Sequence, residues 1–165
     1  MITEKYLLDA NIFIEAHRRY YAFDIAPKFW TELNRHSASG AIASIDKVKE
    51  ELLKGKDILA DWVKQANFAV FHKVDDRATL EEYANLMQWA NTSERFFAAA
   101  TAEFAQVADG WLVAYAKANS CTIVTQESLN KEARNRVKIP DACVHIGVEY
   151  IDTYTLLRRL GIQFN

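Results

Sequence analysis

The stretch "YLLDANIFI" (Tyr6–Ile14) places an aspartate, Asp9, inside a mostly apolar run. The apolar residues before Asp9 favour a buried strand, and those after it favour a packed helix. An aspartate at such a junction either caps the following helix or presents a carboxylate at the end of the strand. Ligands of open parallel α/β sheets bind beyond the carboxyl ends of the strands, so the second role makes Asp9 a candidate site residue.

Strand-like and helix-like segments alternate along the chain. Strands are predicted at 5–8, 41–45, 68–74, 121–126 and 149–152, with a further strand or extended segment at 137–140. Helices are predicted at 12–22, 26–37, 47–55, 57–66, 76–107, 108–118, 141–146 and after Asp152. This alternation predicts an α/β domain with a mainly parallel sheet. We expect a single domain over 1–165, in which about 56–107 is a helical elaboration of the core.

Composition sets limits on the class of protein. The chain has 165 residues, of which half are hydrophobic and a quarter charged, and its net charge is −2. These values are typical of a globular domain, and global charge does not indicate a polyanion-binding protein. We expect neither a signal peptide nor a membrane span, and a cytoplasmic location. Cys121 and Cys143 are interpreted as buried free thiols, although a disulfide stays open, and the histidines lack zinc-ligand spacing.

Four acids follow or begin elements that an α/β topology can bring to one edge of the sheet. Asp9 ends the first strand, Glu127 follows the strand at 121–126, Glu51 lies on the helix after 41–45, and Asp109 begins a helix. Neighbouring carboxylates repel one another and raise each other's pKa. Hard divalent cations remove that penalty because they prefer oxygen ligands. We therefore predict a Mg²⁺ or Mn²⁺ site.

Two neutral side chains and two arginines complete the predicted site. Asn11 and Thr125 are expected to support the acids by hydrogen bonding to a carboxylate or to a bound water. Arg134 and Arg136 follow Glu127 and are weak candidates for contact with the phosphates of a nucleic acid such as RNA, because scattered surface charge is the more common explanation.

The segments "YLLDANIFIEA", "SIDKVKEEL" and "ADGWLVAYAKANSCTIVTQE" together resemble a PIN domain, as in the VapC-like toxin ribonucleases. Asp9 with Asn11, Glu51 before Leu52, and Asp109 opening its helix match the motifs of that family. The fourth motif is usually Thr-x-Asp, whereas this chain has Thr125-Gln126-Glu127. The segments "RVKIPDAC" and "YIDTYTLLRRLG" look like a PIN-like subfamily with a DUF4411-type C-terminal region.

This resemblance implies a three-layer α/β/α fold and a metal-dependent endoribonuclease. It also implies the toxin of a type II toxin–antitoxin system, with an antitoxin protein as partner. The segment 76–107 is a candidate surface for a homodimer. A catalytically silent PIN-like binding module is the first alternative. Another Mg²⁺-dependent phosphoryl hydrolase is the second, although Asp9-Ala10-Asn11 lacks the second aspartate of an Asp-x-Asp motif.

Several residues have simpler structural interpretations. Asp109 is as well explained by a helix N-cap as by a metal ligand, and Glu50 rather than Glu51 is open as the inward-facing acid. Helix caps are also predicted at Asp46, Asp141 and Asp152. Of these three, Asp141 is also an outside candidate for the rim of the pocket. Core positions are predicted for the aromatic residues Trp89, Phe96, Phe97, Phe104 and Trp111.

Overall fold

The computed structural model of the chain describes residues 5–65 and 68–164. Over these residues a parallel sheet has the strand order β3-β2-β1-β4-β5. Its strands are β1 (Tyr6–Leu8), β2 (Ile42–Ile45), β3 (Phe71–His72), β4 (Thr122–Val124) and β5 (Tyr150–Ile151). The predicted α/β class and its parallel sheet are confirmed.

Helices occupy most of the segments between the strands. They are α1 (Ala10–Glu15), a π-helical segment (Ala16–Tyr20), α2 (Pro27–Ala38), α3 (Asp46–Lys54), α4 (Ile58–Lys64), α5 (Arg77–Thr92), α6 (Ala98–Phe104), α7 (Asp109–Asn119), α8 (Ile139–Ile146) and α9 (Thr153–Arg159). The segment expected to be a helical elaboration, 56–107, also contributes β3, which pairs with β2 at one edge of the sheet.

The order of the strands fixes where a ligand site can form. The chain runs from β1 outward through β2 to β3, then crosses to β4 and β5 on the other side of β1. Right-handed crossovers in these two directions place helices on opposite faces of the sheet, which gives the expected three layers. The strand order reverses between β1 and β4, and a crevice forms beyond the carboxyl ends of strands at such a point.

The central strands are buried on both faces. Every residue of β1, β2 and β4 is buried, without the alternation of a half-exposed sheet, because helices cover both faces. The one hydroxyl in β2, that of Ser44, donates a hydrogen bond of 2.6 Å to the carbonyl oxygen of Leu8. This bond satisfies a buried polar group and ties β2 to the last residue of β1.

Element boundaries differ from the predictions at several places. The helix expected at 12–22 is α1 followed by the π-helical segment, and the helix expected at 76–107 is divided into α5 and α6. The division falls at Ser93, whose extended backbone (φ −70°, ψ 127°) ends α5. The segment predicted at 137–140 forms no strand: Lys138 is extended, and α8 begins at Ile139 with Pro140 in its first turn, where proline is well tolerated.

The predicted caps have mixed outcomes. Asp152 caps α9 by accepting a hydrogen bond of 2.8 Å from the N–H of Thr155. Asp46 was wrong as a cap, because it is the first residue of α3 and not the residue before it. Asp141 lies inside α8, where it accepts a hydrogen bond from the N–H of Lys138.

The predicted core is mostly confirmed. Phe96 and Phe104 are buried, and Trp89 and Trp111 are half-buried against the core. The core position predicted for Phe97 was wrong, since 52% of this residue is exposed. Cys121 and Cys143 are buried free thiols, as expected. Across residues 5–65 and 68–164, no helix is both long enough and apolar enough to span a bilayer.

Candidate active site

Asp9 and Thr125 are joined at the ends of the two central strands. In the register of β1 and β4, Leu8 pairs with Val124, so the next residue of each strand leaves the sheet at the same level. The N–H of Asp9 donates to the carbonyl of Val124 (3.0 Å), and Oγ1 of Thr125 donates to Oδ2 of Asp9 (3.1 Å). Asp9 occupies the N-cap of α1, yet its side chain makes no capping hydrogen bond. The backbone N–H of Asn11, in the first turn of α1, nevertheless helps to lower the pKa of Asp9, so the capping interpretation stays open.

Glu51 lies close enough to Asp9 and Asp109 for its charge to raise the pKa of both. Oε1 of Glu51 accepts a hydrogen bond of 3.1 Å from the N–H of Ala108, whereas Glu50 is exposed. Ala108 is the N-cap of α7, and the next residue, Asp109, is buried at the first helical position. Because Asp109 follows the N-cap, its predicted alternative role as an N-cap was wrong.

Glu127 has both carboxylate oxygens engaged within the chain. Nη2 of Arg136 donates to Oε1 (2.6 Å), and the N–H of Ile139 donates to Oε2 (2.9 Å). The same Arg136 atom lies 3.6 Å from Oδ2 of Asp109. The N–H of Glu127 also donates to Oγ1 of Thr125 (3.1 Å). Glu127 thus connects the end of β4 with the beginning of α8, and Arg136 bridges Glu127 and Asp109.

The pKa of Asp9 and that of Asp109 are both raised. Burial raises the pKa of Asp9 to about 7, the charges of Glu127 and Glu51 add to this effect, and the hydrogen bond from Thr125 opposes it. Burial raises the pKa of Asp109 to about 8, with added repulsion from Asp9 and Glu127, while Arg136 opposes the rise. The acids Asp9, Glu51, Asp109 and Glu127, together called the acidic pocket, are therefore close enough to repel one another.

The donor atoms of the acidic pocket suit a divalent cation, but the arrangement of its side chains does not yet form a metal site. Its donors are carboxylate oxygens, and the repulsion that raises the pKa of Asp9 and Asp109 is what a bound cation would relieve. Yet within the described part of the chain, no group of three or more His, Cys, Asp or Glu side chains is arranged to hold a metal ion. In the present arrangement the carboxylate of Glu127 is paired with Arg136.

The remaining predicted site residues lie in different surroundings. Asn11 lines a cavity beside Glu127. Nε of Arg134 donates to the carbonyl oxygen of Arg95 (2.8 Å), and its guanidinium lies 4.9 Å from the ring of Phe97. Arg134 is thus a packing contact of the segment before α8, whereas Arg136 reaches the acids.

Asp141, the outside candidate for the pocket's rim, has a structural role. Its Oδ1 lies 3.0 Å from Nη1 of Arg95, and the Asp141 side chain is fully buried in this ion pair. Arg95 also donates to the carbonyl oxygen of Ala133 (2.8 Å). Sequence reasoning did not single out Arg95, because nothing local to residue 95 indicates a partner so far along the chain.

The sequence comparison identifies the family. A model described as a domain of unknown function, DUF4411, matches residues 6–164. The chain belongs to the DUF4411 family. The match covers nearly the whole chain and not only the C-terminal region for which we expected it. The description of the DUF4411 family names no activity. The search of curated proteins found no match for this chain.

Solved structures support the fold of this DUF4411 protein. The crystal structure of FitAcB from Neisseria gonorrhoeae aligns with a TM-score of 0.56 and 20% identity, covering 90% of this chain and 98% of that one. The crystal structure of VapBC2 from Rickettsia felis, bound to a DNA fragment from their promoter, aligns with a TM-score of 0.55 and 14% identity at the same coverage. Both are PIN-domain structures, so the fold is PIN-like.

Proposed function

We propose that this protein is a metal-dependent endoribonuclease and the toxin of a toxin–antitoxin pair. The observation that carries the proposal is the acidic pocket at the reversal of strand order between β1 and β4. FitAcB and VapBC2 are complexes of PIN-domain proteins with an antitoxin, which supports an antitoxin partner for this chain. The substrate class, RNA, is the one implied by the resemblance of the sequence motifs.

Asp9, Asp109 and Glu51 are the residues that would hold Mg²⁺ or Mn²⁺, with Glu127 joining them once Arg136 moves away. A bound cation would supply the charge that stabilises a phosphodiester's developing negative charge and activates a water. Thr125 keeps the Asp9 carboxylate in place through its hydroxyl. The hydrogen bond from Ala108 to Glu51 sets the position of α3 against the start of α7.

Arg136 has two roles in this proposal. In the free protein its guanidinium offsets the charges of Glu127 and Asp109. About 43% of its side chain is exposed, so it also presents positive charge to a substrate phosphate at the mouth of the pocket. Such a group positions a phosphate without taking part in bond making.

The test is cleavage of a mixed pool of labelled RNA by the purified protein, free of any antitoxin. We expect cleavage with Mg²⁺ or Mn²⁺, none with EDTA, and none from Asp9→Asn under any condition. Glu50→Gln is the matched control, because Glu50 is exposed beside Glu51. This variant should cleave RNA like the wild type. Cleavage that survives in Asp9→Asn would assign the activity to another site or to a contaminant.

A catalytically silent binding module is the second candidate. It is favoured by the engagement of both Glu127 oxygens by Arg136 and Ile139. In that function the acidic pocket would remain neutralised by its own arginine, and the fold would serve only to bind RNA or protein. Folded wild-type protein that binds RNA but cleaves none with any divalent cation would favour this candidate over the nuclease.

A further inference from the structure

A cavity of about 370 Å³ lies beside the acidic pocket and shares Glu127 with it. Its volume falls within the roughly 300–1,000 Å³ of small-molecule sites. It is lined by Asn11, Glu15, Tyr20, Gln126, Glu127 and Tyr154. Asn11 comes three residues after the end of β1 and Gln126 two residues after the end of β4, so the cavity begins where the two central strands end.

Two exposed tyrosines form part of its wall. Tyr20, the last residue of the π-helical segment, is 52% exposed, and Tyr154 on α9 is 46% exposed. The hydroxyl groups of Tyr21 and Tyr154 share a hydrogen bond, which restrains the Tyr154 side chain. π-Helical segments occur frequently at functional sites, and exposed aromatic rings are stacking surfaces for unpaired nucleobases.

The charges at the cavity favour a neutral ligand. Oε2 of Glu15 lies 3.2 Å from Nε of Arg19, and Oε1 of Glu127 lies 2.6 Å from Nη2 of Arg136, so each lining carboxylate has its own arginine. Among the described residues, none that lines the cavity is basic. A phosphate would therefore find no cation in its walls, whereas a planar base that forms hydrogen bonds would find aromatic rings and amides.

We propose that this cavity, called the base pocket, binds one nucleobase of single-stranded RNA beside the phosphate that lies at the acidic pocket. The base packs against the rings of both Tyr20 and Tyr154, and the side-chain amides of Asn11 and Gln126 hydrogen-bond to its edge. Nε2 of Gln126 already donates to Oγ1 of Thr153 (3.0 Å), which fixes the orientation of this amide. The inference rests on the proposed function, because RNA is the substrate that brings a base to this position.

The test measures binding without cleavage. Fluorescence anisotropy in EDTA would compare a short labelled single-stranded RNA with an abasic oligomer of the same length and backbone. We expect the wild type to bind the RNA more tightly than the abasic oligomer. Tyr20→Ala and Tyr154→Ala should each weaken RNA binding roughly tenfold, the range that loss of one stacking partner produces, without changing abasic binding. Tyr154→Phe keeps the ring and should bind RNA like the wild type.

Phe97→Ala is the matched control, because Phe97 is also 52% exposed but does not line the cavity. It should bind both oligomers like the wild type. Equal binding of RNA and abasic oligomer by the wild type, or wild-type affinity in both tyrosine-to-alanine variants, would overturn the base pocket. Because Tyr20 is the more exposed tyrosine, replacing it should disturb folding less. Tyr20→Ala therefore provides the test if Tyr154→Ala melts at a lower temperature than the wild type.

Cleavage assays separate this inference from the proposed function. Metal-dependent cleavage by the wild type, combined with tyrosine variants that bind RNA normally, would retain the nuclease and reject the base pocket. Base-dependent binding that both tyrosine variants lose, without cleavage under any metal, would retain the base pocket and reject the nuclease.

Discussion

The guanidinium of Arg136 donates to the carboxylate of Glu127, with Nη2 2.6 Å from Oε1. The second oxygen of Glu127 accepts from the N–H of Ile139 (2.9 Å), and the same guanidinium nitrogen lies 3.6 Å from Asp109. The positive charge of Arg136 therefore offsets the negative charge of these acids by Coulomb attraction. A divalent cation entering the acidic pocket therefore competes with an arginine of the same chain.

Replacing Arg136 should strengthen cation binding. Arg136→Gln removes a positive charge that lies beside Glu127 and Asp109, so both carboxylates become available to a cation. Because 43% of the arginine side chain is exposed, solvent screens part of its charge, and we expect Mn²⁺ to bind roughly tenfold more tightly. Titration with Mn²⁺, followed by electron paramagnetic resonance of the free ion, measures this affinity.

Arg134→Gln is the control for the loss of a positive charge in the same segment. Arg134 contacts the Arg95 carbonyl and the ring of Phe97 rather than the acids, so its Mn²⁺ affinity should stay at the wild-type value. Weaker Mn²⁺ binding in Arg136→Gln would show that Arg136 orients the carboxylates for the cation instead of competing with it.

Without a divalent cation, the free energy of unfolding should fall as the pH rises. The pKa of Asp9 is raised to about 7 and that of Asp109 to about 8, so the folded protein holds these protons more tightly than the unfolded chain. The resulting stabilisation is complete below the ordinary pKa of 3.8 and is lost as pH rises through these folded-state values. Urea unfolding in EDTA at pH 5 and pH 8.5 should show a loss of several kcal/mol, because each pH unit by which a pKa is raised corresponds to about 1.4 kcal/mol.

Unfolding at the same two pH values, with the Asp9→Asn variant and with the wild type in Mn²⁺, shows whether these acids cause the pH dependence. Asparagine keeps the acceptor for the Thr125 hydroxyl but carries no charge, so the pH dependence of Asp9→Asn should be smaller than that of the wild type. Saturating Mn²⁺ should stabilise the wild type more at the higher pH, where the ligands are ionised. A wild-type stability in EDTA that rises over this pH range would contradict the assigned burial of these two acids.

Removing the Thr125 hydroxyl should destabilise the protein through two contacts. Oγ1 of Thr125 donates to Asp9 and accepts from the N–H of Glu127, and Thr125→Val leaves both groups without this partner. An unsatisfied buried polar group costs about 1–3 kcal/mol, which chemical denaturation measures. Thr125→Ser retains the hydroxyl and should lose much less stability. Equal losses in the two variants would show that the hydroxyl contributes no more to stability than the methyl group, which only the serine variant lacks.

Sequence patterning was sufficient for the sheet and for the placement of the acids. The apolar run before Asp9 and the β-branched residues before Thr125 mark two buried strands, and the topology of a parallel sheet brings their ends together. The choice of Glu51 over Glu50 followed a family motif, and the contact between Glu51 and Ala108 agrees with it. Helix periodicity alone does not separate two adjacent glutamates.

Local sequence patterns do not predict contacts between residues that are far apart in the sequence. Arg136 was expected on the surface as an RNA contact, because its pairing with Glu127 depends on how the segment before α8 folds back. The tyrosines of the base pocket, Tyr20 and Tyr154, are separated by most of the chain and have no shared motif. Phe97 has the apolar character of a core residue, yet it lies at the N-cap of α6 and is exposed.

Breaking the buried ion pair between Arg95 and Asp141 should destabilise the segment that carries Arg136. Arg95→Gln leaves a fully buried carboxylate without its charged partner and removes a hydrogen bond to Ala133. Such a loss costs about 3–5 kcal/mol, and hydrogen exchange of residues 130–137 should accelerate with it. Arg77→Gln is the control, because Arg77 pairs with Glu81 in full exposure to solvent (92% and 62% of the side chains) and should change stability by less than about 1 kcal/mol. If unfolding and exchange in Arg95→Gln matched those of Arg77→Gln, the Arg95 contacts would not be what holds this segment beside the acidic pocket.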